Sequence, residues 1–168
     1  SHLANQLLAL ALADEADLSL RREPVRLDEL VTSCVVQASA RARALQVDLG
    51  AKGLEHPVTM MANATLIEGI LNNLIDNALR YGRPHSPLMA EVTVSLSQSA
   101  QGVALIVMDN GPGLATEECE RLLQRGAQGQ QGKVHHGLHQ GAGFGLSIVT
   151  RYAQLLGAQF WLQNSVNH

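Results

Sequence analysis

Wound at about 100° per residue, the run from residue 64 to 81 places Asn73, Asn77 and Arg80 within a narrow wedge, with Tyr81 on its border. Asparagine is a poor helix-interior residue because its amide competes for the backbone. Two of them stacked four apart beside a cation, on an otherwise apolar helix, suit a neutral oxygen ligand for Mg²⁺ next to a phosphate-binding cation. A solvated helix face with an incidental Asn pair is the other account, and the wedge alone does not separate them.

Two further segments carry chemistry-capable residues. Asp109-Asn110-Gly111-Pro112-Gly113 directly follows the apolar run Val103–Met108. A carboxylate ending a buried strand before a tight turn can accept a hydrogen bond from a ligand donor such as an exocyclic amine. Taken alone, the segment is better read as an ordinary Asn-Gly-Pro-Gly turn, with Asp109 tying down backbone amides. Gly141-Ala142-Gly143-Phe144-Gly145-Leu146 opens an amphipathic segment, and glycines ahead of a helix let backbone N–H groups face a phosphate. The spacing is not that of a dinucleotide fingerprint, and no Gly-Lys-Ser/Thr follows to make a P-loop.

These residues need a scaffold, and the hydrophobic pattern supplies one. Leu3, Leu7, Leu8 and Leu12 recur at three- and four-residue steps, which predicts a helix over residues 3–20. Arg21-Arg22-Glu23-Pro24 reads as punctuation, giving a linker at residues 23–27. Asp28 is placed to cap a second helix, with Leu27, Leu30, Val31, Cys34, Val35, Ala38 and Ala42 along one face. Cys34 in that stripe reads as core rather than as a reactive thiol. Strands are expected at Gln46–Leu49, Val58–Met61, Glu91–Ser97, Val103–Met108 and Phe160–Leu162. The strongest helix spans residues 64–81, a short one Thr116–Gln124, and a last one Gly143–Leu156, stopped by Gly157. Between Arg125 and Gln140 there is no periodicity. The expected fold is α+β, a two-layer sandwich with helices on one face of a mixed sheet.

Composition narrows the function classes. The chain has 168 residues, 46% of them apolar and 3% aromatic, so its core must rest on aliphatic side chains. A net charge of −3 without a basic cluster argues against a nucleic-acid binder. Apolar stretches fall short of the ~20 residues needed to span a bilayer, and the chain reads as a soluble, intracellular piece. Cys34 and Cys119 are too few and too distant for a disulfide framework or metal knuckle. Nine of the fifteen glycines lie between Gly111 and Gly145, which localises a ligand-contacting region. His135, His136 and His139 lie in that glycine-rich stretch and lack a fourth ligand, so a polar lid is preferred to zinc.

Taken together and in this order, the three segments resemble the nucleotide-binding domain of bacterial sensor histidine kinases, within the Bergerat-fold ATPase/kinase superfamily. Asn73–Tyr81 resembles the family's N box, Asp109–Gly113 its first glycine box and Gly141–Leu146 its second. The resemblance covers about residues 27–165. It implies a Bergerat-type sandwich at residues 28–168, lacking the family's last strand, with an ATP lid at about 114–140. Residues 1–22 resemble the end of the dimerisation and phosphotransfer hairpin, a helical stub ahead of the domain. The implied ligands are ATP and Mg²⁺, with Asn73, Asn77 and Arg80 in the catalytic helix and Asn77 as the metal ligand. Asp109 would bind the adenine amine, and Arg125 would reach the phosphates from the lid. Tyr81, Gly111, Gly113, Leu114, Gly141, Gly143, Phe144, Gly145 and Leu146 would surround the nucleotide. Implied partners are ATP or ADP, the chain's own dimerisation domain as a homodimer, and a response regulator. The implied location is cytoplasmic, in a parent held in the bacterial inner membrane.

The sequence departs from the family's pattern at the acceptor as well as at the last strand. The family's acceptor His is followed by an acidic residue; His2 is followed by Leu3-Ala4-Asn5, so the acceptor is expected outside this chain. Three rival functions share the fold. An ATPase of the gyrase or mismatch-repair type needs a general base one turn before the metal-binding Asn, where this chain has Asn73. The second rival is an anti-sigma serine kinase, and the third is a non-catalytic nucleotide-binding module.

Overall fold

The computed structural model describes residues 6–12, 21–84, 88–112 and 140–163. In chain order the elements are β1 (Gln6–Leu12), β2 (Glu23–Arg26), α1 (Leu27–Ala44), β3 (Val47–Lys52), β4 (Thr59–Ala62) and α2 (Ala64–Tyr81). They continue with β5 (Ala90–Ser99), β6 (Gly102–Asp109), α3 (Gln140–Leu156) and β7 (Gln159–Gln163). Five strands form one mixed sheet in the order β3-β5-β6-β1-β7, and β2 pairs with β4 in a separate ribbon. β3 runs parallel to β5, and every other pair is antiparallel.

Alternation decides which face is covered. Val92, Val94 and Leu96 of β5 are buried, as are Val103, Leu105 and Val107 of β6, while the residues between them are more exposed. Against that face α2 turns Ile67, Ile70, Leu71, Leu74, Ile75, Ala78 and Leu79, all buried. The first turn of α2 is pinned by Asn63, whose Oδ1 accepts the Leu66 N–H at 3.0 Å. α1 contributes Leu27, Val31, Cys34, Ala38 and Ala42, and α3 contributes Val149, Ala153 and Leu156. Cys34 is fully buried and its thiol is pushed up to about 11 by burial, reinforced by Glu68, which agrees with a core role. Gly157, at φ +74°, ends α3 in the left-handed conformation expected at its C′ position.

Several sequence expectations require correction. Residues 6–12 are not helical; they form β1, between β6 and β7. Leu8, Leu10 and Leu12 alternate with Ala9 and Ala11, so the segment satisfies period two as well as the helical period. Pairing on both sides, with Leu8 opposite Val107 and Leu162, favours the strand for this ambivalent pattern. The helical stub expected at residues 1–22 is therefore not formed over 6–12, and the rest of residues 1–20 lies outside the described residues. The linker at residues 23–27 is also replaced: Glu23–Arg26 pairs with Thr59–Ala62, and Leu27 already begins α1. Pro24 is tolerated there because the ribbon has only two strands, so one side of each needs no donor. Asp28 is not the cap of α1, since the N-cap is Arg26 and Asp28 lies in the first turn.

Candidate functional site

α2 and β6 converge at one end of the sheet. β6 delivers Asp109 at its C-terminal residue, and α2 ends at Tyr81 with Gly82 as its C-cap. A Cβ placed on Gly82 would lie 2.4 Å from Asp109 Cγ and 2.4 Å from Oδ2, so bare backbone rests against the carboxylate. A Cβ on Gly111 would come within 2.7 Å of the Gly82 carbonyl carbon. The stack of Gly111, Gly82 and Asp109 closes only because both glycines lack side chains.

Asp109 is 2% exposed. Its Oδ1 accepts the Gly111 N–H at 2.9 Å, while Oδ2 is buried without a hydrogen-bond partner. Burial pushes the carboxyl up to about 7, and the Gly111 N–H offsets only part of that. An unpaired buried oxygen costs free energy that a ligand donor would recover. Asn77, on α2, likewise has a buried Nδ2 with no partner. Its amide can turn either its oxygen or its nitrogen outward by rotation about the terminal bond.

The remaining predicted residues divide clearly. Asn73 is half-buried, and its Nδ2 donates to the Gly69 carbonyl at 2.8 Å, so the side chain folds back onto its own helix. Arg80 and Tyr81 are exposed at the end of α2. Gly69 itself is where α2 meets α3: a Cβ there would lie 2.7 Å from Tyr152 Cε2. Gly113, Leu114, Arg125, the Thr116–Gln124 helix and the three lid histidines lie outside the described residues. Gly141 to Leu146 are described as backbone, and they stand inside the first turns of α3 instead of before it. Glycine weakens a helix interior by about 1 kcal/mol relative to alanine without forbidding it. Packing of Val149, Ala153 and Leu156 lets the helix run back to Gln140. The amides left free by helix geometry are then those of residues 140–142, whereas those of 144–146 bond within the helix.

Sequence reasoning gave Gly82 no role, since a glycine after a helix reads as a cap. Nor did it assign the contacts of Asn110 and Asp28. Asn110 links β6 to β5, and Asp28 accepts from Arg26 Nε at 2.8 Å and from Val58 N–H at 3.0 Å. Among the described residues no group of three or more His, Cys, Asp and Glu could hold a metal ion, and no helix is long and apolar enough to cross a membrane.

Comparison with known proteins places the chain in a family. The sequence pattern of the histidine kinase-, DNA gyrase B- and HSP90-like ATPases matches residues 62–168. The swarming motility regulation sensor protein RssA of Serratia marcescens is 32% identical over 157 residues, covering 94% of this chain and 32% of that protein. The sensor protein BasS of Escherichia coli K12 is 31% identical over 161 residues, covering 95% of this chain and 41% of that protein. The chain thus spans 32% to 41% of the length of these relatives. In fold it matches the catalytic domain of histidine kinase ThkA at a TM-score of 0.66 and 18% identity, covering 86% of this chain and 96% of that one. Full-length ShkA, solved in complex with AMPPNP, matches at 0.65 and 23% identity, covering 86% of this chain and 31% of that one. The chain belongs to the histidine kinase-, DNA gyrase B- and HSP90-like ATPase family. Its relatives by sequence are sensor proteins, and its fold is that of histidine kinase catalytic domains.

Proposed function

We propose that this domain holds Mg·ATP at the end of the sheet and presents the γ-phosphate to a histidine supplied from outside the chain. The observation that carries the reading is Asp109: a carboxylate 2% exposed, with one oxygen committed to Gly111 and the other buried and unpaired. Such an acceptor suits the exocyclic amine of adenine. Asn77 supplies the second contact. A single neutral amide fits Mg²⁺, which keeps several waters and takes most other ligands from the phosphates. Bound there, the ion neutralises charge on the phosphate oxygens. Arg80, exposed at the end of α2, would serve the phosphates as a cation, and Arg125 would add a second. The free amides at the start of α3 face the same phosphates.

Phosphoryl transfer asks the protein for positioning and charge neutralisation rather than covalent help. Hydrolysis asks for a base, and Asn73 offers none; its amide is already committed to the Gly69 carbonyl. That contact supports kinase over ATPase. No His in the chain is followed by an acidic residue, so the acceptor belongs to another part of the parent, in a dimerisation and phosphotransfer segment. The parent would be a membrane-held sensor passing phosphate to a response regulator. Incubation with γ-labelled ATP tests this: the chain alone should neither label itself nor release phosphate. Adding a hairpin fragment that carries an acceptor His should yield acid-labile phosphohistidine, slowly because the tether is cut. Self-labelling of the isolated chain, or brisk phosphate release, would overturn the reading.

A further inference from the structure

One residue carries the β5–β6 pairing past Asp109, with both its backbone and its side chain. Asp109, the last residue of β6, pairs opposite Val92. Beyond it, the Asn110 N–H donates to the Glu91 carbonyl at 3.2 Å. The Asn110 Oδ1 accepts the Glu91 N–H at 2.9 Å, and its Nδ2 donates to the Met89 carbonyl at 2.9 Å. A primary amide carries the donor and acceptor of a peptide group, so Asn110 acts as an additional backbone unit at the strand end. The turn it latches also carries Gly111, whose N–H holds Asp109 Oδ1 and whose backbone abuts Gly82. With Oδ1 held by Gly111, the other oxygen of Asp109, Oδ2, stays buried and unpaired.

We infer that Asn110 is a positioning residue for base recognition: its amide fixes the turn whose Gly111 N–H holds Asp109 Oδ1, so that Oδ2 is aimed at the donor of the base. The inference rests on the reading of Asp109 as the adenine acceptor. Asn110 itself spends its side chain on β5 and leaves the base to Asp109.

The test is discrimination between ADP and inosine diphosphate, which carries a carbonyl oxygen where adenine carries its amine. Calorimetric titration of the 168-residue chain with each nucleotide gives the selectivity ratio. A buried acceptor deprived of its donor should make the parent chain prefer ADP by about tenfold or more. In Asn110→Ala the ratio should fall to within about threefold, through weaker ADP binding and unchanged inosine diphosphate binding. A merely structural role would weaken both nucleotides together and leave the ratio intact. Circular dichroism checks folding, and Asn110→Ser, too short to bridge Glu91 and Met89, replaces the alanine variant if that one does not fold. A preserved ratio in a folded variant overturns the role of Asn110 alone. No ADP preference in the parent chain overturns the reading of Asp109 and this inference with it.

Discussion

Two aspartates among the described residues are buried, and the fold treats them in opposite ways. Asp28, in the first turn of α1, has every reason to be ionised. Arg26 donates to it from Nε at 2.8 Å and from Nη2 at 2.6 Å, and the Val58 N–H adds a third bond at 3.0 Å. The Arg26 guanidinium, with Val58, holds that carboxyl well below the usual range. Asp109, at the far end of β6, has among the described residues no cation bonded to it and only the Gly111 N–H. Burial lifts it to about 7. A fully satisfied carboxylate fastens the β2–β4 ribbon to α1. A half-satisfied one stores a binding interaction, and the domain gives up stability to keep it open.

The largest expected effect comes from exchanging each carboxylate for an amide. Asp109→Asn should weaken ADP binding by about 10- to 100-fold, because the new NH₂ meets the adenine amine donor to donor. The same change should raise thermal stability at pH 7.5 by about 1–3 kcal/mol, since a buried charge is removed. Asp28→Asn should do the reverse, lowering the melting midpoint by several degrees while ADP affinity stays within about twofold. Calorimetry for binding and scanning calorimetry for stability check both halves. Equal losses of ADP affinity in the two variants would erase the distinction.

pH offers the next largest separation. Asp109 has a folded value of about 7 against an ordinary 3.8, so the folded domain holds a proton that the unfolded chain has lost. The stability linked to that proton is fully present below the ordinary value and is lost as pH rises through about 7. Asp28 is depressed, so its contribution is present above the ordinary carboxylate value and is lost as pH falls toward its folded value. Apo stability should therefore rise on acidification from pH 8 to about pH 5, then fall. ADP affinity should weaken over the first of those ranges, because protonated Asp109 is a poorer acceptor for an amine. Binding that is flat from pH 8 to pH 5.5 would contradict the role of Asp109.

Asn77→Ala sharpens the comparison from the helix side. Its amide, with a buried Nδ2 that nothing bonds, is the candidate metal contact. The variant should lose most of the tightening that Mg²⁺ gives to ADP, about tenfold, while metal-free binding through Asp109 persists. Titrations with Mg²⁺ and with a chelator read the two terms separately. Unchanged metal dependence would remove Asn77 from the site.

How much of this could be read from sequence depends on where each signal resides. The helix at residues 64–81 is the same in sequence and structure, because seven buried aliphatic residues hold one period and Asn63 marks its start. Asp109 was visible as a carboxylate closing an apolar strand. What remained hidden was contact across the chain. Gly82 reads locally as a helix stop, and only the fold reveals it lying against Asp109. Asp28 reads as a cap, yet its partner Val58 is thirty positions away. Gln6–Leu12 fits two periods at once, and no local rule announces that β6 and β7 will take it as a strand. The glycines at 141–145 suggest a loop by composition, whereas packing further along α3 carries the helix through them.

The smallest effect expected concerns the ion pair that flanks the asparagine helix. Arg41 of α1 meets Asp76 of α2 with Nη2 3.0 Å and Nε 3.1 Å from Oδ1. It resembles the Arg26–Asp28 pair in chemistry and differs from it in exposure: side chains of 47% and 43% for Arg41 and Asp76, against 11% for Asp28. Water screens the exposed pair, and ordering two long side chains costs entropy, so such bridges contribute about 0–1 kcal/mol. Asp76 also points away from its neighbour Asn77 in function, since its carboxylate is occupied on the α1 side. Asp76→Asn should therefore shift stability by less than about 1 kcal/mol, vanish as an effect in 1 M salt, and leave the Mg²⁺ dependence of ADP binding unchanged. Denaturant melts at low and high salt, beside one calorimetric titration, are sufficient. A loss of metal dependence in Asp76→Asn would mean that the carboxylate, not the neighbouring amide, serves the cation, and the division between structural and ligand-binding acids would have to be redrawn around α2.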